Sequence, residues 1–196
     1  MDSDRKWVVV RIDGKIAAVS TDYRMLAEIS SRLSGQKEPQ HQHVCAETTD
    51  FDEVWKLRET ASWEDFMLFG TDFQKKVWRK LYEMTHPQEE TSEKTTPRLL
   101  SYSDFAELCE NKAGVRAVAH AIGLNPLAVL IPCHLVVPKE AIDKIQEIQK
   151  KAESTIFKGD DLCMASLLRK KGIDFGEYTL GRKLKRSLIQ MEFAQY

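Results

Sequence analysis

A cysteine and a histidine stand side by side in an apolar stretch of the chain, residues 130–138. Cys133 and His134 are flanked by Pro132 and Pro138 and by leucine, isoleucine and valine residues. A thiol reacts as its thiolate and therefore needs a basic neighbour, which an imidazole can be. Adjacent side chains often point apart, so a water is expected to link the two. Taken alone, the pair also fits an inert buried cysteine beside a structural histidine.

The backbone around this pair is restricted by proline. Pro132 confines Ile131 to extended geometry and has no backbone donor of its own. The sequence therefore predicts that Cys133 leaves a buried strand on a fixed turn and faces a pocket.

Composition places the chain among ordinary soluble globular proteins. Its 196 residues suffice for one large or two small domains, with 42% hydrophobic and 30% charged residues. No apolar run is long enough to span a membrane, and the charged N-terminus lacks a signal-peptide core. We therefore expect no membrane association.

Cysteine spacing and charge distribution indicate the redox environment of the protein and where its basic residues cluster. The four cysteines form no C-x-x-C pair, which predicts reduced thiols in an intracellular protein: Cys45, Cys109, Cys133 and Cys163. A formal net charge of -1 neither favours nor excludes nucleic acid. Lysine and arginine residues cluster near the C-terminus among few acids, which predicts a basic tail. They are Arg169, Lys170, Lys171, Arg182, Lys183, Lys185 and Arg186.

The first third of the chain indicates a small α/β module. Residues 6–19 alternate around Asp13-Gly14, which predicts a β-hairpin. Apolar spacing predicts a helix over residues 23–33, ended by Gly35.

Residues 35–50 are polar and are expected to form a solvated loop. They contain three potential zinc ligands, His41, His43 and Cys45, and His86 could be a fourth. The spacing matches no strong zinc pattern, so no metal is predicted.

Amphipathic segments follow in the middle of the chain. Thr71 is a candidate N-cap for a helix with an apolar stripe at Phe73, Val77, Trp78 and Leu81. Residues 85–98 have the composition of a loop. Residues 101–109 and 115–122 predict two short helices joined by a tight polar turn, which suggests a helix-turn-helix.

These two short helices contain further candidate residues. In the first, Ser101 or Ser103 could be the N-cap, and Phe105 and Leu108 are expected to face inward.

The second short helix is lined with small side chains. Ala117, Ala119 and Ala121 surround one long cation, Arg116. Such a helix either packs closely against a neighbour or slides into a groove of DNA, where Arg116 would enter the base stack. Tyr102 is similarly ambiguous between local packing and a functional role.

Together these segments resemble the O6-alkylguanine-DNA alkyltransferase family. Five motifs occur in the family's order, with compatible spacing, across roughly residues 68–138. They are Gly70-Thr71-x-Phe73-Gln74-x-x-Val77-Trp78, Ser101-Tyr102, Arg116-Ala117-Val118, Asn125-Pro126 and Leu130-Ile131-Pro132-Cys133-His134-x-Val136-Val137.

The resemblance implies an α/β protein with two domains. A small N-terminal ribonuclease H-like α/β domain, residues 1–66, would precede a mainly helical, winged-helix-like DNA-binding domain, residues 67–196, that contains the helix-turn-helix. The second domain would have inserted segments at about 85–98 and 139–158 and the basic tail. Within the later insertion, Ile142, Ile145 and Ile148 recur every three residues and predict an amphipathic helix.

The resemblance also implies a partner, double-stranded DNA containing O6-alkylguanine. The second helix would enter the minor groove while the damaged base flips out. The implied DNA-binding residues are Arg116, Ala117, Ala119, Ser101 and Tyr102. A monomer is expected, nuclear in a eukaryote and otherwise cytoplasmic.

The implied catalytic residues follow from the same motifs. Cys133 would accept the alkyl group once and irreversibly, with His134 as base through a water. Tyr102 would donate to the departing guanine, and Asn125 would brace the active-site turn. No cofactor or metal would be required.

The chain departs from the family pattern at three positions. Leu135 stands where the family has arginine, and Ala128 where members can have proline. Lys171 stands where we align the glutamate that orients the active-site histidine, and an ammonium cannot accept a hydrogen bond. Asp161, Asp174 or Glu177 would replace that glutamate, or the histidine would work without an anionic partner.

Other classes remain open alongside repair. A lesion sensor would bind alkylated DNA without transfer, although Cys133 argues against it. A helix-turn-helix regulator would read the major groove with polar side chains, which the alanine-rich helix lacks. A cysteine hydrolase would need an oxyanion hole, and no motif indicates one.

Overall fold

The chain forms a mixed α/β structure with a small sheet and several helices. The computed structural model describes residues 6–21, 43–86, 98–154, 168 and 172–194. They fall into two compact units, the first made of residues 1–86 and 120–133 and the second of residues 87–119 and 134–196. The predicted domain boundary between residues 66 and 67 stays a prediction.

The first unit begins with the predicted hairpin, which is confirmed. Strands β1 (Trp7–Ile12) and β2 (Lys15–Ser20) pair antiparallel, with Ile12 opposite Lys15. Asp13 and Gly14 both have positive φ, at 50° and 82°. A two-residue turn of this kind matches the twist of the strands that it joins, and Asp-Gly is a favoured pair for it.

A third strand, β3 (Val44–Thr49), pairs antiparallel with the free side of β1. The sheet order is therefore β2-β1-β3. The solvated loop expected for residues 35–50 is thus wrong over β3. Most of its side chains are exposed, so the apolar alternation that marks a strand is absent, and its backbone pairing with β1 decides the structure. The predicted helix over residues 23–33 lies outside the described residues.

Helix α1 (Phe51–Thr60) follows the sheet, with Asp50 as its N-cap accepting from the Glu53 amide at 3.0 Å. Helix α2 (Asp72–Glu83) is the one predicted after Thr71. Thr71 and Gln74 form a reciprocal capping box, with bonds of 3.2 and 2.9 Å. Three of its predicted apolar positions are buried: Val77, Trp78 and Leu81. Phe73, in the first turn, is 36% exposed, so the stripe stops short of the helix start.

The second unit contains a short parallel pair of strands, β4 (Leu100–Ser101) and β5 (Val136–Val137). Helix α3 (Tyr102–Leu108) starts directly after β4, with Ser101 as its N-cap. Phe105 is buried as predicted, but Leu108 is 46% exposed, because the helix ends there and the chain turns away at Glu110 (φ 57°). Helix α4 (Val115–Gly123) matches the second predicted short helix.

Two longer helices lie among the described residues of the second unit. Helix α5 (Lys139–Ser154) confirms the amphipathic helix predicted for the later insertion, with Ala141 and Ile145 buried. Hydrogen bonds from Lys144 and Lys151 lower the pKa of the exposed Glu147 to about 2. Helix α6 (Arg182–Ala194) buries an apolar face that includes Leu184, Leu188, Ile189 and Phe193.

Candidate functional site

The cysteine of the Pro-Cys-His motif is buried at the end of a turn. Cys133 is 7% exposed and opens a 3-10 helix, Cys133–Leu135, that leads into β5. The Ile131 amide donates to the Leu127 carbonyl at 2.9 Å, so a turn precedes the cysteine and the strand follows it. The predicted order, a strand and then the cysteine, is therefore wrong, because these backbone groups bond locally instead of in a ladder.

This turn contains one strained residue. Val129 is fully buried and has φ of 74°, a left-handed conformation that a β-branched side chain rarely adopts. The turn is tied to β2 on both sides of Leu127. Val19 donates to the Pro126 carbonyl at 2.9 Å, and the Ala128 amide donates to the Val19 carbonyl at 3.1 Å.

Asn125 forms hydrogen bonds to both this turn and the thiol, and its bracing of the junction between the second short helix and the turn stays a prediction. Its Nδ2 donates to the Ile131 carbonyl at 2.9 Å and lies 3.1 Å from Cys133 Sγ. Its Oδ1 accepts from the Leu127 amide at 3.0 Å, which fixes the orientation of the amide. A donor aimed at sulfur stabilises a thiolate more than a thiol, and the thiolate is the nucleophile.

His134 lies in the second unit and is completely buried. Its Nε2 is 2.7 Å from Oε1 of Glu192, a residue of α6 that is itself buried. The carboxylate can hold the ring orientation and stabilise an imidazolium, as in the Asp-His pair of hydrolases. His134 therefore has the properties of a base with an anionic partner.

The partner of His134 corrects the sequence prediction. Asp174 and Glu177 instead pair with Arg182, at 3.6 and 2.6 Å. Lys171 and Asp161 lie outside the described residues. Glu192 was missed because it follows 58 residues after His134, although one signal existed. Glu192 follows Leu184 and Leu188 at intervals of four residues, so it lies on the buried face of the helix. A carboxylate at such a position requires a partner.

A buried lysine on the same helix was assigned to the basic tail and is not part of it. Lys185 is 1% exposed, and its Nζ donates to the carbonyls of Val136 at 2.8 Å and Glu177 at 3.3 Å. The ammonium also lies 5.8 Å from the centre of the Tyr102 ring, within cation–π range. Lys185 thus connects the strand after the Cys-His pair to Tyr102.

Tyr102 and Ser101, both predicted site residues, lie where α3 begins. Tyr102 is half-buried. Ser101 is 1% exposed, and its hydroxyl accepts from the Asp104 amide at 3.1 Å and donates to the Asp104 carboxylate at 2.7 Å. Ser101 is thus a helix cap, and its DNA-binding role stays a prediction.

Helix α4 divides into a buried and an exposed face. Val118, Ala121 and Ile122 are buried, and the Trp78 indole donates to the Ala121 carbonyl at 2.8 Å. Arg116 and Ala117 are exposed and Ala119 is half-buried. The predicted DNA-binding side chains of this helix are therefore accessible or partly so.

The burial of Leu135 explains why a leucine fits at this position. Leu135 is completely buried, so a long cation at this position would have to lose its water or displace its neighbours. The leucine therefore fills the core of the second unit and leaves the Cys-His turn supported by packing.

No metal site forms among the described residues, where no three His, Cys, Asp or Glu side chains come together. Cys45 instead approaches Glu47, and the His86 ring stacks on Tyr82 with its Nε2 3.2 Å from the Arg58 carbonyl. His41 lies outside the described residues. In the same part of the chain, no helix is long and apolar enough to cross a membrane.

The fold is shared with a solved structure. The structure is similar to that of the O6-methylguanine-DNA methyltransferase of the hyperthermophilic archaeon Pyrococcus kodakaraensis strain KOD1. The TM-score is 0.50 at 20% identity, and the match covers 98% of this chain and 95% of that one. This likeness concerns the fold alone.

The sequence matches a known family over part of its length. Residues 72–154, less than half of the chain, match the family described as 6-O-methylguanine DNA methyltransferase, DNA binding domain. They include α2, α3, α4, the Cys-His turn and α5. The recognition made from the five motifs is therefore confirmed.

Curated relatives agree with this assignment over part of their length. A probable methylated-DNA–protein-cysteine methyltransferase of Acanthamoeba polyphaga mimivirus is 43% identical over 75 residues, 38% of this chain and 44% of the relative. The methylated-DNA–protein-cysteine methyltransferase of Saccharomyces cerevisiae is 39% identical over 70 residues, 36% of this chain and 32% of the relative. The matched part thus spans less than half of both relatives.

Proposed function

We propose that the chain is a DNA repair protein that transfers an alkyl group from O6-alkylguanine in DNA to its own Cys133. One observation carries the proposal. A buried thiol held by Asn125 is followed directly by a buried imidazole paired with Glu192, within a segment of the alkyltransferase DNA-binding family. A structural cysteine needs neither a donor at its sulfur nor a buried acid–base pair beside it.

The transfer is a direct displacement. The Cys133 thiol gives its proton to His134, through a water because the two residues are consecutive, and Glu192 stabilises the resulting imidazolium. The sulfur then bonds to the alkyl carbon while the bond from that carbon to O6 breaks. The electron pair passes to guanine, which takes a proton from Tyr102, and the proton released by the thiol restores the tyrosine. The thioether is stable, so each molecule acts once and no cofactor is needed.

DNA would dock on the helix-turn-helix of α3 and α4. The small side chains of Ala117 and Ala119 allow α4 to enter the minor groove, and Arg116 fills the stack left by the flipped base. Extrusion costs a few kcal/mol and less for a weakly paired lesion, which favours alkylated guanine. Ser101 and Tyr102 would complete this surface at the start of α3.

We extend the proposal to the domain organisation of the whole chain. The protein would comprise a ribonuclease H-like domain over residues 1–66 and a winged-helix-like DNA-binding domain over residues 67–196. The protein would act as a monomer on double-stranded DNA, in the nucleus of a eukaryote or otherwise in the cytoplasm.

The test separates repair from lesion sensing, the alternative that Leu135 keeps open. We expect Cys133→Ala to abolish alkyl transfer from an O6-methylguanine duplex while it keeps the affinity for that duplex, because the substitution removes only the acceptor. Anisotropy measures binding, and intact mass measures transfer. Wild-type protein that binds the lesion and gains no mass would be a sensor, and a methylated Cys133→Ala chain would remove the acceptor assignment.

A further inference from the structure

The exposed stripe of α4 has a second long polar side chain besides Arg116. Its exposed positions include Arg116, Ala117, His120 and Gly123, and His120 is three or four residues from each of the other three. Residues four apart in a helix lie on one face, so His120 stands one turn beyond Arg116. The sequence motifs that carry the family resemblance do not include this histidine.

The residues around His120 have small side chains, so its imidazole extends beyond them. Its chain neighbours, Ala119 and Ala121, have no side-chain atom beyond Cβ, and neither does Ala117 on the exposed stripe. Arg116 and His120 are therefore the two side chains that extend furthest from this stripe. The helix contains no acidic residue, so nothing within it opposes the approach of DNA.

We propose that His120 donates a hydrogen bond to a base-edge acceptor on the floor of the minor groove, beside the lesion. The inference rests on the proposed function, in which α4 enters that groove. Four residues advance a helix by about 6 Å. With the helix axis along the groove, that places His120 roughly two base steps from Arg116.

The chemistry of the groove suits an imidazole donor. Both A·T and T·A pairs present acceptors in the minor groove, at adenine N3 and thymine O2. A histidine has at least one N–H in either protonation state, so the contact does not require a charged ring. His120 would therefore add affinity next to the flipped base without a strict sequence requirement.

The experiment uses the Cys133→Ala chain, so that binding to an O6-methylguanine duplex is measured without reaction. We expect His120→Ala in this background to weaken binding about three- to tenfold, the effect of one hydrogen bond. Because a base edge is uncharged, the dependence of affinity on salt should keep its slope. His120→Gln retains an N–H donor and should bind close to the parent. His43→Ala removes an exposed histidine far from α4 in sequence and should change nothing.

Each alternative outcome is informative. Equal affinity of His120→Ala and the parent would overturn the assignment, and so would weaker binding with a shallower salt slope, which indicates a phosphate contact. If the parent itself does not bind the duplex, the proposed function fails and the role of His120 falls with it. Unchanged thermal melting of the variants would show that an affinity loss does not come from unfolding.

Discussion

At the residue scale, the proposed acceptor thiol of Cys133 is buried and held by a hydrogen bond. Cys133 is nearly inaccessible, yet an amide donor points at its sulfur, and the next residue is a buried imidazole with a carboxylate. Burial of such groups is unfavourable unless each has a partner, so their pairing here indicates a site and not a packing accident.

Glu192 tests the acid–base part of the mechanism. We expect Glu192→Gln to slow single-turnover alkyl transfer by about tenfold to a hundredfold, because the imidazolium loses its anionic partner while the side chain keeps its volume. Rapid-quench kinetics on an O6-methylguanine duplex would measure the rate. Glu177→Gln is the matched control, since that carboxylate pairs with Arg182 on the surface. Equal rates for wild type and Glu192→Gln would remove the role of Glu192.

Lys185 tests whether a buried cation supports the strand after the Cys-His turn. Lys185→Met keeps the length of the side chain but leaves the Val136 carbonyl without its ammonium donor. We expect a loss of about 1–3 kcal/mol in the free energy of unfolding, measured with urea. Lys183→Met, an exposed lysine on the same helix, should stay within about 0.5 kcal/mol of wild type. Similar losses for both variants would contradict a specific contribution from Lys185.

At the element scale, the active-site turn depends on its attachment to β2. The family can have proline at the position of Ala128, but here the Ala128 amide donates to the Val19 carbonyl. Proline has no such donor. We therefore expect Ala128→Pro to destabilise the protein by about 1–3 kcal/mol in urea unfolding. Wild-type protein is the reference, since a serine at this buried position would add the cost of a buried hydroxyl. A proline variant as stable as wild type would show that this bond contributes nothing.

Elements with local signals could be predicted from the sequence. The Asp13-Gly14 turn and the Thr71 cap are fixed by residues within a few positions of each other. The helix α5 was likewise indicated by its own isoleucine spacing. Strand β3 could not be predicted this way, because its pairing partner β1 lies over 30 residues earlier and its side chains are mostly exposed.

The candidate site residues also differ in whether a local sequence signal indicates them. Asn125, Cys133 and His134 lie within a stretch of ten residues, so their motif could be recognised from the sequence. Glu192 and Lys185 lie on α6, 58 residues after His134 and 49 residues after Val136, the residues that they contact, so no local spacing indicates them. Buried charges on the apolar face of a helix are the signal that identifies such partners, since an unpaired one would be costly.

At the scale of the whole molecule, the family match covers residues 72–154, whereas Glu192 lies beyond it. The matched segment alone would therefore lack the carboxylate partner of its histidine. Helix α6 therefore contributes buried partners to the residues that follow Cys133, through Glu192 and Lys185.

The most direct measurement is the intact mass of the full chain after incubation with excess O6-methylguanine duplex, followed by peptide mapping. We expect a gain of one methyl group, confined to the peptide that contains Cys133, with no further gain on longer incubation. An unchanged mass, or a methyl group on Cys45 or Cys109 instead, would contradict the central claim that Cys133 is the single-use alkyl acceptor.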